Sequence, residues 1–171
     1  MMEATTKSVI WLIATLLTGL SAGFFYSWQV SVIPGTKLIN ARNYIETMQS
    51  INRAIINPAF LLIFIGPFLM QILAIYQFRG TSAMAYLLAA CLCYFLGTLL
   101  VTVLGNVPLN NSLDLLNSNN MSPEQLDHTR LQYALKWNRL HTLRTVFAVL
   151  SFILMLIPTL TQLQYSIQQN H

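Results

Sequence analysis

The chain has 171 residues and a formal charge of +4; 55% of its residues are hydrophobic, 8% are Asp, Glu, Lys or Arg, and mean hydropathy is +0.56. Soluble domains carry about a quarter charged residues, so this composition excludes a soluble globular protein. The small positive excess gives no basis for a nucleic-acid partner.

Four apolar runs, near 8–33, 58–76, 82–105 and 145–163, approach the ~20 residues needed to cross a hydrocarbon core about 30 Å thick. They use more than half the chain and leave no room for a separate soluble domain. The expected architecture is therefore all-α: one transmembrane domain over 1–171, a four-helix bundle in the lipid bilayer. Eleven of the fourteen Lys, Arg, Asp and Glu residues fall in 37–56 and 106–144, so one end of the bundle is crowded with polar groups. Seven basic residues at that end against two at the other put it in the cytoplasm by the positive-inside rule. The expected location is a multi-pass protein of a bacterial cytoplasmic membrane.

The first run follows Lys7 and continues through Phe24, Phe25, Tyr26 and Trp28 to Ile33, past the about 7–15 residues of a signal peptide's apolar region. It reads as a retained span. Thr15, Gly19, Gly23 and Ser27 form a small-residue stripe that lets another helix approach closely. That helix belongs either to this chain or, through Gly19 and Gly23, to a homodimer. Pro34-Gly35 ends the helix.

Residues 41–56 read as a short amphipathic helix, with Ala41, Tyr44, Ile45, Met48, Ile51 and Ile55 on one face and Arg42, Glu46, Gln49 and Arg53 on the other. Asn43 and Glu46 have capping-box spacing. Asn57 and Pro58 suit the cap and first position of the second span. Gly66-Pro67 predicts a kink there, and Gln71 adds a polar group at membrane depth. The short link 77–81 makes spans two and three antiparallel neighbours. Cys91 and Cys93 lie two apart in the third span, on different helix faces, and read as small core residues.

The third span is expected to end at Gly105, with Pro108 stiffening a turn over Asn106 to Asn110. Ser122, Pro123 and Gln125 make a strong helix start, from which a single helix runs into the fourth span. Its first half, 123–144, is expected to stand clear of the membrane.

On that helix Trp137, His141 and Arg144 share one face, which Arg130 and Tyr133 extend. A guanidinium at the depth of Arg144 is paired or wetted, or snorkels to the headgroups. His141 is either a hydrogen-bonding histidine or a base. Asn106 and Asn110 either cap the third span or face a ligand, and Asn52 and Gln49 bring further amides to the same end. No nucleotide-binding or zinc-protease motif is present. His128, His141 and His171 lack metal-site spacing, so no metal and no cofactor is expected.

Gly19 and Gly23, Met48-Gln49-Ser50-Ile51-Asn52, Asn106-Val107-Pro108-Leu109-Asn110 and Trp137-Asn138-Arg139-Leu140-His141-Thr142-Leu143-Arg144 occur in an order that resembles the anthrone-oxygenase-like family of small four-span membrane proteins. The resemblance covers nearly the whole chain; N-x-P-x-N and W-x-x-x-H-x-x-R are its most specific parts. It implies oxidation of a polyketide anthrone, an apolar aromatic small molecule, by molecular oxygen without a recognised cofactor. The implied roles are His141 as base, Arg144 with Asn106 or Asn110 as oxyanion donors and Trp137 as a stacking wall. Asn52 and Gln49 would help to line the substrate pocket. Two other classes stay open: a non-enzymatic module that binds lipid, quinone or a partner protein, and a transport accessory. Transport is the weakest, because no acidic residue lies within a span.

Overall fold

The computed structural model describes residues 2–169, and side chains over 6–158; His171 and the side chains of 159–163, the end of the fourth apolar run, lie outside it. Within those bounds the chain is an all-α bundle of four helices long and apolar enough to cross a membrane: Thr6–Thr36, Pro58–Gln77, Ala83–Asp114 and Pro123–Pro158. They run up, down, up and down. Large apolar side chains such as Leu12, Leu62, Leu69, Leu96 and Val146 point outward, as expected where lipid is the solvent.

The first span packs along the second and fourth, and the fourth packs along the third. The core has three levels. At the sparse end Ala14, Ala74, Leu87, Ala90 and Met155 interlock. At mid-height Ala22, Phe25, Phe64, Tyr94 and Ala148 meet. At the crowded end the amphipathic helix, Ala41–Ala54, lays Tyr44, Ile45 and Met48 against Leu113, Leu126, Tyr133 and Trp137.

Helix starts follow the sequence closely. Asn57 Oδ1 accepts from the Phe60 N–H at 3.0 Å, with Pro58 at the first helical position. Ser122 and Gln125 form the reciprocal capping box, at 2.8 and 3.3 Å. The last helix runs unbroken over Pro123–Gln169, with Pro158 inside it. The amphipathic helix starts differently from expectation. Asn40, not Asn43, is its cap and accepts from the Asn43 N–H at 2.9 Å. Glu46 instead accepts from the Ser118 hydroxyl at 2.6 Å.

The expected turn at 106–110 is absent, because the third span continues as helix to Asp114. The first span likewise continues through Pro34 to Thr36. In both places a π-type stretch stands just before the proline: Trp28–Val32 and Thr102–Asn106. Proline removes an N–H and crowds the carbonyl four residues back. Widening the preceding turn makes room, so Ile33 N–H bonds to the Trp28 carbonyl and Val107 N–H to that of Thr102, each five residues back. The wider turns set the helical phase at which Trp28 and Thr102 face inward.

Pro67 poses the same problem in the second span, where the Ile63 carbonyl loses its helical partner. The Tyr94 hydroxyl from the third span lies 2.9 Å from the Phe64 carbonyl oxygen and 3.4 Å from that of Ile63, and 2.7 Å from Ser21 Oγ. A freed carbonyl in hydrocarbon is costly, so Tyr94→Phe should destabilise the bundle by about 1–2 kcal/mol. An unchanged unfolding midpoint in a sodium dodecyl sulfate titration would mean that only the Tyr94 ring contributes.

Candidate functional site

A cavity of about 360 Å³ lies between the aromatic mid-level and the crowded end. Its walls are mostly apolar, from Phe24, Phe25, Trp28, Phe60, Phe64 and Trp137, and Thr102, His141 and Arg144 form its floor. That volume falls among ordinary small-molecule sites, roughly 300–1,000 Å³. Exposed lining residues mark the mouth: Arg53 near the end of the amphipathic helix, Ile56 in the link that follows, Leu61 in the second span and Asp114 in the third. Arg53 Nε and Asp114 Oδ1, 3.0 Å apart, bridge this rim.

Arg144 is only 7% exposed and does not snorkel. Its Nε and Nη2 donate to His141 Nδ1 at 3.1 and 2.9 Å, and its Nη1 donates to Thr102 Oγ1 at 3.3 Å. The guanidinium carbon stands 4.8 Å from the Phe25 ring centre and 5.1 Å from that of Trp137. Among the described residues no carboxylate pairs with it. A buried cation held by neutral groups and ring faces has given up its hydration without gaining an anion.

These contacts determine the His141 tautomer. Arginine N–H groups can only donate, so Nδ1 carries a lone pair and Nε2 carries the proton, which it donates to the Phe25 carbonyl at 3.1 Å. The imidazole lies flat on Trp137, with centroids 5.0 Å apart and 6° between planes. Residues four apart on one helix explain that stacking.

A second chain of hydrogen bonds lines the wall. Asn52 Nδ2 donates to the Tyr133 hydroxyl at 3.2 Å, and that hydroxyl donates to Asn110 Oδ1 at 2.9 Å. Trp137 Nε1 donates to the same oxygen at 2.9 Å. Asn110 therefore has its carbonyl filled, and among the described residues nothing accepts from its Nδ2. Tyr44 packs against Tyr133 with centroids 6.3 Å apart. Burial pushes its hydroxyl up to about 12 against the pull of Arg130, so it stays neutral.

His141, Arg144, Trp137, Asn110 and Asn52 thus meet at one cavity. Asn106 and Gln49 do not line it. Asn106 is fully buried, its Nδ2 donating to the Trp137 carbonyl at 3.3 Å and its Oδ1 without a partner among the described residues. Gln49 Nε2 donates to the Leu113 and Leu116 carbonyls at 2.8 and 2.9 Å, closing the end of the third span. Arg130 caps the first span through the carbonyls of Ile39, Thr36 and Lys37. Gly19 faces Phe152 of the same chain, whereas among the described residues a Cβ on Gly23 would meet nothing within 4 Å. Sequence reasoning missed Phe25, Trp28, Phe60, Phe64 and Thr102; the cluster Phe24-Phe25 with Trp28 beside Gly23 was the available signal. Among the described residues no His, Cys, Asp and Glu side chains group closely enough to hold a metal ion.

Residues 48–154 match the model of a family described as anthrone oxygenase. No curated protein and no solved structure matches the chain.

Proposed function

Because the chain belongs to the anthrone oxygenase family, we propose that it oxygenates an acidic, planar aromatic compound of anthrone type in the cavity floored by His141 and Arg144. The observation that carries this reading is the buried Arg144 guanidinium, which has no carboxylate partner among the described residues and sits among aromatic walls. Such a site favours a flat ligand that becomes an anion.

The substrate supplies the electrons, so the reaction needs oxygen but no bound cofactor. Removing one methylene proton leaves an anion delocalised onto the carbonyl oxygen. That anion reduces dioxygen and forms a carbon–oxygen bond at the former methylene carbon. Breaking the O–O bond of the hydroperoxide and losing the second C–H proton then gives the quinone carbonyl and one water. One O₂ is consumed for each CH₂ converted to C=O.

Each residue has a part in this sequence. As the ligand's oxygen takes over the N–H donors of Arg144, His141 Nδ1 is released to accept the methylene proton. Asn110 Nδ2 is the second donor to the oxyanion, held in place through Tyr133 and Asn52. It suits that role better than Asn106, whose amide nitrogen is spent on the Trp137 backbone. Trp137 supplies the stacking wall. Donors fixed in a water-poor cavity act strongly on developing charge. In this reading 123–144 and the amphipathic helix lie at the cytoplasmic face of a bacterial inner membrane.

Purified protein in detergent micelles should speed oxygen uptake with emodin anthrone, and His141→Ala should lower that gain by roughly a hundredfold, the scale of general-base catalysis. No rate above protein-free micelles would end the oxygenase reading. Both His141 nitrogens are engaged in the ligand-free site, which also suits a module that holds a quinone without turning it over. In that case a quinone would quench Trp28 and Trp137 fluorescence while no oxygen is consumed.

A further inference from the structure

On the opposite side of the third and fourth spans from the cavity, a shallow groove runs between Leu104, Gly105 and Ser112 of one helix and Lys136, Arg139 and Leu140 of the other. Its shape depends on Gly105, where an added Cβ would lie 2.8 Å from Leu140 Cδ1. Without that Cβ, Leu140 can lie across the helix. Leu104, 71% exposed, continues the apolar floor toward the membrane interior.

Lys136 and Arg139 are three apart on the last helix and overhang the same groove. Neither makes an ion pair or hydrogen bond among the described residues. Most other cations at this end are engaged: Arg42 donates to Asn119, Arg53 pairs with Asp114, Arg130 binds backbone carbonyls and Arg144 binds His141. No acidic residue lines the groove. Its level also fits a headgroup. Arg139 is five residues before Arg144, where the fourth apolar run begins, a rise of about 7.5 Å. Two free cations therefore stand just above an apolar strip, where a phosphate would sit over acyl chains.

We propose that this groove is a binding site for an anionic phospholipid, with its phosphate between Lys136 and Arg139 and an acyl chain along Leu104 and Leu140. Charge complementarity selects an anionic lipid over a zwitterionic one, and two cations at the surface contribute roughly a ten- to thirtyfold preference. The site shares no lining residue with the cavity, so it stands whether or not the chain is an oxygenase.

The test uses the full chain in mild detergent with equal amounts of phosphatidylglycerol and phosphatidylcholine, and counts retained lipids by native mass spectrometry. The parent should retain phosphatidylglycerol preferentially. Lys136→Gln with Arg139→Gln should reduce that preference by roughly tenfold or more. Lys37→Gln with Arg42→Gln, which removes the same charge elsewhere at this end, should leave it in place. Circular dichroism of each variant checks that the bundle remains folded. A preference unchanged by the groove pair, or lowered equally by the control pair, would overturn the proposal.

Discussion

Replacing Arg144 with methionine should leave the bundle at least as stable as the parent while removing most of its affinity for an anionic aromatic ligand. Taking a guanidinium out of water costs several kcal/mol even after relaxation. Here the return comes only from neutral acceptors and ring faces: His141 Nδ1, Thr102 Oγ1, Phe25 and Trp137. Cation–π contacts contribute about 2 kcal/mol when desolvated, which does not clearly exceed the penalty. Methionine keeps an unbranched apolar stem against the rings and removes the charge.

Binding should respond in the opposite sense. Hydrogen bonds to a charged group contribute about 1.5–3 kcal/mol each, and two of them to an oxyanion amount to a loss on the order of a hundredfold or more. Thermal unfolding in detergent, followed by tryptophan fluorescence, measures the first effect. Quenching of Trp28 and Trp137 by a hydroxyanthraquinone measures the second. A variant that unfolds far earlier yet binds normally would make Arg144 a structural residue and remove the main support for the oxygenase reading.

Gly97→Ala should be among the most destabilising single substitutions in the membrane-spanning part, at roughly 3 kcal/mol. A Cβ on Gly97 would lie 2.0 Å from Phe147 Cγ and 2.3 Å from Phe147 Cβ. Those atoms are fixed close to the backbone of the last helix, so no side-chain rotation clears them and the two helices must move apart. Between helices in lipid, close van der Waals packing replaces the hydrophobic effect as the main attraction. Separation at this crossing therefore removes contacts along both partners. Gly23→Ala, where nothing lies within 4 Å, should stay within about 0.5 kcal/mol of the parent. Unfolding midpoints of the two variants in the same denaturing-detergent titration give the comparison. Equal midpoints would mean that the third and fourth spans tolerate separation at Gly97.

The contrast between these glycines marks the limit of pattern reading. The stripe Thr15, Gly19, Gly23 and Ser27 announces close packing by its four-residue interval. Of its two glycines, Gly19 has a close neighbour in Phe152 and Gly23 has none among the described residues, while the closest approach at any described glycine is at Gly97 in the third span, outside the stripe. Spacing tells which residues share a helix face; it does not tell which face meets a partner. The turn expected at 106–110 failed for a related reason. Proline normally argues against a continuing helix, but a wider turn before Pro34 and before Pro108 absorbs the clash. That adjustment is favoured where a backbone in hydrocarbon has no water to turn to.

The sequence by itself determined what depends on local chemistry and on partition into lipid. Four spans, the amphipathic helix, the caps at Asn57 and Ser122, the unbroken last helix and the shared face of Trp137, His141 and Arg144 all follow from composition and period. Only the tertiary structure decided which polar residues meet. It gave Asn110 and Asn52 to the cavity, spent Asn106 and Gln49 on backbone carbonyls, and closed the aromatic wall with Phe25 and Trp28 from the far end of the chain. The physical reason is that hydropathy fixes which segments leave water, whereas a hydrogen bond between distant helices depends on their mutual rotation and depth. Those are set by packing contacts, such as Phe147 over Gly97, that no single segment carries.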